Sequence, residues 1–289
     1  MAAWEGKSKG TATGYKIFII LLQKVGINAA YFLLAFVSFY YFLFNSKQTL
    51  AIYKYFRSKQ KQNVFWSLIN TYRNNYIFGQ TLIDKVAIAA GLENKFTYEF
   101  DGVENIYQLA KDKSAGIMIS AHVGNFELAQ HFMHGFEKKI HLVTTDAERE
   151  AIKSLLDSVM AKPKVEFIIV KDDMSHIFDI HQTIERQQII CFTGDRYFPG
   201  TKTLESELYS EKARFPAGPF LLSSRLNTPV LFVYVMREKK RHYHLYARKA
   251  EFKNRDANSL LEAYSKSIEK ILEKYPLQWF NYYDFWKMD

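Results

Sequence analysis

Between Val25 and Phe44 the chain reads VGINAAYFLLAFVSFYYFLF, with no charged side chain in the run. That is about the length a helix needs to match the hydrocarbon core of a bilayer, and no polar face interrupts it. A cleaved signal peptide is one rival, but the run lies late, exceeds a usual signal core and leads into Asn45-Ser-Lys-Gln48 without a small-x-small cleavage pattern. A buried helix of a soluble protein is the other. The expectation is a retained membrane anchor, with residues 1–48 as tail and anchor and residues 49–289 as the main domain. Lys7, Lys9, Lys16 and Lys24 precede the run, and Lys47, Lys54, Arg57, Lys59 and Lys61 follow it. Counting positive charges therefore does not orient it. The apolar piece Ile17–Leu22 just upstream also allows two helices lying at the interface, so spanning and monotopic attachment both stay open.

Beyond the anchor, a length of 289 residues with 48% hydrophobic side chains, including 24 Phe and 19 Tyr, supplies one large core and an apolar groove besides. The net charge of +9 favours an anionic partner: a membrane surface, an acidic carrier protein or a nucleic acid. No nucleic-acid recognition motif accompanies the charge, so nucleic acid is not expected as a partner. A single cysteine, Cys191, excludes an internal disulfide and reads as a small buried thiol in Gln188–Thr193.

Thr49–Ala90 has a helical pattern and no proline. Short, nearly continuous apolar runs then recur at Gly116–Ala121, Ile140–Thr145, Val165–Val170, Gln188–Thr193 and Pro229–Met236, as strands buried on both faces require. Phe126–Phe136, Asp146–Met160, Met174–Arg186 and Gly218–Leu226 have the length and spacing of helices between them. Alternation of this kind predicts an α/β fold, with a central, mostly parallel sheet flanked by helices and the apolar helix appended at the N-terminus. His242–Arg248 alternates and reads as an antiparallel edge strand; Asn258–Tyr275 reads as an amphipathic helix ended by Pro276.

The segment Ser120-Ala-His-Val-Gly-Asn-Phe-Glu127 carries the candidate chemistry. His122 falls just past a strand's carboxyl end, where open α/β sheets hold their ligands, and Asn125 can cap the following helix. Residues five apart on one helix point about 140° apart, so His122 and Glu127 meet only if the histidine lies in the loop and folds back. Gly124 makes that turn cheap. Glu127, at the helix N-terminus, would orient the imidazole as a general base. A capping carboxylate beside an incidental histidine is the competing account. Asp195 and Arg196 follow the strand ending at Thr193, again at a carboxyl end, and together with Asn125 are expected on the substrate side. His131 with His134, and His242 with His244, have spacings that metals tolerate, but no completing ligand accompanies either pair.

The His-x4-Glu pattern of His122 and Glu127 resembles the motif of lysophospholipid and late lipid A acyltransferases. The hydrophobic N-terminus, the mid-chain Gly194-Asp-Arg196 and the closing Tyr275-Pro-Leu-Gln-Trp-Phe280 agree in order with the bacterial lipid A branch. The resemblance implies transfer of a fatty acyl group from acyl carrier protein or coenzyme A to a membrane lipid at the cytoplasmic face of the inner membrane. It implies neither metal nor cofactor, and gives His122 the base and Glu127 the orienting role. Phe215-Pro-Ala-Gly-Pro219 only partly matches the Pro-Glu-Gly element of glycerolipid enzymes, since Ala217 replaces the acid. Asn281–Trp286 stands where lipid A enzymes commonly carry a basic cluster, which leaves the acceptor open among a lipid A precursor, an aminolipid, a lysophospholipid and a lipid-like pigment. A noncatalytic lipid-binding membrane protein is the alternative class.

Overall fold

The computed structural model describes residues 20, 22, 24–126, 128–129, 137–146, 150, 165–197 and 200–287. Seven strands form one sheet: β1 (Thr97–Asp101), β2 (Gly116–Ser120), β3 (Ile140–Thr144), β4 (Glu166–Ile169), β5 (Ile189–Thr193), β8 (Val230–Arg237) and β9 (His242–Lys249), in the order β1-β9-β8-β2-β5-β3-β4. All neighbours pair parallel except β8 with β9. β6 (Thr203–Leu208) and β7 (Glu211–Pro216) make a separate antiparallel hairpin. The expected α/β architecture with a mostly parallel sheet is therefore present.

Period-two alternation sends side chains of each central strand to two different cores. In β8, Val230, Phe232, Tyr234 and Met236 join one cluster, whereas Leu231, Val233 and Val235 join the other. The first face is covered by α5 (His176–Glu185), the hairpin, α6 (Ala217–Arg225) and α7 (Ala257–Lys274), together with Trp279 and Phe285. The second is covered by α1 (Ile27–Phe44), α3 (Val64–Ala89) and α4 (Val103–Lys111). Between α1 and α3, α2 (Ser46–Lys54) runs on into a π-helical turn, Tyr55–Lys59, whose Tyr55 and Phe56 are buried in the first core. Asn63 starts α3 by accepting the Trp66 amide, and Asp256 starts α7 by accepting those of Asn258 and Ser259, each satisfying donors the first turn leaves unpaired. Among the described residues α1 is the one helix long and apolar enough to cross a membrane.

One expectation is corrected. His242–Arg248 is antiparallel to β8, but it is not an edge: β1 lies outside it, parallel, with Glu99 opposite His244. The polar sequence Thr-Tyr-Glu-Phe-Asp of β1 gives no apolar run to mark it, because most of its side chains are exposed. The helices expected over Phe126–Phe136 and Asp146–Met160 lie mostly outside the described residues.

Candidate active site

β2 and β5 are adjacent and in register, with Ser120 opposite Thr193. Two residues beyond each of these come His122 and Asp195, so the same parallel pairing that aligns the strands brings the two side chains together. His122 Nδ1 lies 2.8 Å from Asp195 Oδ1, and the other carboxylate oxygen accepts the His122 backbone N–H at 2.9 Å. Asp195 is fully buried and the His122 side chain is 13% exposed, so the pair reaches solvent through the imidazole alone. Burial pushes the Asp195 carboxyl up, but the charges of His122 and Arg196 and the two hydrogen bonds from His122 outweigh it and hold the group below its ordinary value. Asp195 is thus an ionised acceptor for the imidazole Nδ1–H of His122.

The loop carrying His122 is clamped on both sides. The carbonyl of His122 accepts the Phe280 amide at 3.0 Å, Val123 bridges Trp279, and Gly124 N donates to the Gln278 carbonyl at 2.9 Å. Asn125 N donates to Val235 O at 2.7 Å. Gly124 adopts φ +57°, and a Cβ there would lie 2.2 Å from the Val235 carbonyl oxygen, so glycine is demanded by both conformation and space. Gln278 completes the clamp: its side chain accepts the Arg237 amide at 2.8 Å and donates to the Arg237 carbonyl at 2.7 Å, as a neighbouring strand would. The buried Asn74 of α3 donates to the carbonyls of Leu277 and Trp279.

Of the residues singled out in the sequence, His122, Asp195 and Arg196 come together. Arg196 donates through Nη2 to the Phe280 carbonyl at 2.6 Å, which ties the β5 end to the C-terminal segment. Asn125 is buried; its amide donates to the Thr81 carbonyl at 3.0 Å and reaches the Tyr243 hydroxyl at 3.5 Å. Glu127, His131 and His134 lie outside the described residues. His242 and His244 approach Glu99, and His244 also Glu238, at 3.6–3.8 Å, but no group of three or more metal-binding side chains occurs among the described residues. At the Pro216–Pro219 turn, α6 starts as expected, and the Ala217 amide is already given to the Lys202 carbonyl.

The sequence reading missed the His122–Asp195 contact and the Gln278 clamp. Both His122 and Asp195 stand two residues past an apolar strand, a signal that was visible; that the two strands are neighbours was not.

A sheet of this topology, with a buried His–Asp pair across the carboxyl ends of two central strands, agrees with a match over residues 14–288 to the family model for bacterial lipid A biosynthesis acyltransferases. The chain belongs to that family. It is therefore an acyltransferase acting on lipid. No individual curated protein matches the chain. In this acyltransferase the closing Pro276-Leu-Gln-Trp279 has a physical part to play, because Gln278, Trp279 and the following Phe280 supply most of the contacts that hold the His122 loop.

Proposed function

We propose that the protein transfers a fatty acyl group from an acyl thioester, carried by acyl carrier protein or coenzyme A, to a hydroxyl or amine of a membrane lipid. His122 is the general base. With Nδ1–H held by Asp195, Nε2 takes the proton of the acceptor as its oxygen or nitrogen attacks the thioester carbonyl. The tetrahedral intermediate collapses with loss of the thiolate, which receives that proton from the imidazolium, so no covalent acyl-enzyme forms. Asp195 orients the ring and stabilises its charged form, a part the sequence pattern also gives to Glu127. Arg196, half-buried and next to Asp195, suits a phosphate or carboxylate of the acceptor or the oxyanion. Asn125, with its amide on Thr81, acts here as a tether of the loop.

The observation that carries this reading is the buried His122–Asp195 pair in a chain of this family. The exposed apolar face of α1 supports attachment to a bilayer, and the donors named are cytosolic, which favours the cytoplasmic face of a bacterial inner membrane. The acceptor is either a lipid A precursor or another lipid, such as an aminolipid, a lysophospholipid or a pigment. Lipid mass profiling of a deletion strain tests both points: one species should lose the mass of one acyl chain, restored by the wild-type gene and not by His122→Ala. Restoration by His122→Ala would overturn the assignment.

A further inference from the structure

Both ends of α1 are fastened to the same body. Near its start, the Tyr31 hydroxyl donates to Asp84 of α3 and accepts from Arg237 of β8 at 3.2 Å, with the guanidinium 5.4 Å from the centre of the Tyr31 ring. Asp84 is fully buried, and its other oxygen takes Arg237 Nε at 2.9 Å and the Tyr243 hydroxyl at 2.6 Å. Just past its far end, the Thr49 hydroxyl donates back to the Phe42 carbonyl at 3.1 Å, and α2 carries the chain to Ile52, Tyr55 and Phe56 in the sheet's first core. Along its length Ile27, Ala30, Leu34 and Ser38 are buried, and the carbonyls of Tyr31 and Ala35 accept the hydroxyls of Tyr76 and Tyr72, so α1 runs antiparallel along α3.

Eighteen helical residues extend about 27 Å. A helix of that length whose two ends belong to one rigid body cannot place those ends on opposite sides of a bilayer while the body stays on one side. Its outward stripe nevertheless has the surface of a membrane helix. Phe32, Phe36, Tyr40 and Phe44 recur every fourth residue and are 58–71% exposed, and the first turn of α3 adds exposed Phe65 and Trp66. Exposed Lys47, Arg57 and Lys61 lie in the chain between these two apolar stretches. An apolar face bordered by cations fits a leaflet containing anionic lipid.

We infer that the protein is monotopic at this helix: α1 does not cross the membrane, and its outer stripe together with Phe65 and Trp66 sinks into one leaflet of an anionic bilayer. This rests on the membrane attachment proposed above and specifies its mode.

Single added cysteines test it in the full-length protein in membranes: Lys24→Cys before α1, Ser46→Cys after it, and Glu262→Cys on the exposed face of α7 as a reference. A membrane-impermeant maleimide should label all three from the same side, and labelling of Lys24→Cys from the opposite side to Glu262→Cys would overturn the inference. With purified protein and phosphatidylglycerol-containing vesicles, the double variant Phe65→Asp, Trp66→Asp should bind at least about tenfold more weakly than wild type, with unchanged circular dichroism. Equal binding would remove α3 from the membrane surface and overturn that part of the inference. Wild-type protein that fails to bind vesicles at all would instead refute the membrane reading itself.

Discussion

Two buried carboxylates, Asp195 and Asp84, face opposite demands. Asp195 gives both oxygens to one residue, the ring and backbone of His122, a partner whose charge can change. Asp84 spends its oxygens on three residues from three elements, Tyr31, Tyr243 and Arg237, and its cationic partner stays charged: although burial opposes the charge, Asp84 raises the Arg237 affinity for its proton well above normal. One pair is built to hold a titratable group in place, the other to tie α1, α3, β8 and β9 into one piece. Burial alone does not set the part a carboxylate plays; the partner it holds, a titratable imidazole or a permanently charged guanidinium, does.

Substitutions at the two positions should therefore fail in different ways. Asp84→Ala, which strands a nearly buried guanidinium, should cost about 3–5 kcal/mol of stability in thermal or denaturant unfolding. At low temperature its folded fraction should retain near-normal kcat. Asp195→Asn should lower kcat about 10²-fold, about 3 kcal/mol in the barrier, while the melting temperature moves little. If Asp84→Ala removes kcat and Asp195→Asn removes stability, the distinction between the two pairs collapses. Gln278→Ala leaves the Arg237 backbone groups without their side-chain partner and loosens the His122 loop, so kcat should fall about tenfold, with little change in KM for the thioester.

The smallest effect concerns acid. The Asp195 carboxyl is held below its ordinary value of 3.8 in the folded protein, so its ionisation stabilises the fold above about that pH and the contribution disappears as pH falls through the lower folded value. The stability difference between wild type and Asp195→Asn should be flat from neutral pH to about pH 5 and shrink below about pH 4. A difference that grows on acidification would mean that the carboxyl is protonated in the native state.

How much of this was legible in the sequence depended on what each element shows to water. β2, β3, β5 and β8 announced themselves as short apolar runs because they lie inside the sheet and most of their side chains are buried, and β4, at the sheet's edge, did so with only Ile168 buried. β1 and the hairpin Thr203–Pro216 did not: Thr-Leu-Glu-Ser-Glu-Leu and Glu-Lys-Ala-Arg-Phe-Pro alternate charges with core contacts such as Leu208, Ala213 and Phe215. His122 and Asp195 were each readable as residues at a strand's carboxyl end. Their pairing was not, since it follows from β5 inserting between β2 and β3, a long-range choice that local periodicity does not encode. The packing of α1 was hidden for the opposite reason: it is apolar on every side, so hydropathy could not say which stripe faces α3 and which faces outward.

The central claim is that an Asp195-held His122 is the base of acyl transfer. Its most direct test is the rate at which purified His122→Gln, bound to vesicles of lipid extracted from the deletion strain, moves a labelled acyl chain from thioester to lipid. The account predicts a loss of about 10³–10⁴-fold with thioester binding and melting temperature retained. Transfer at the wild-type rate would contradict it.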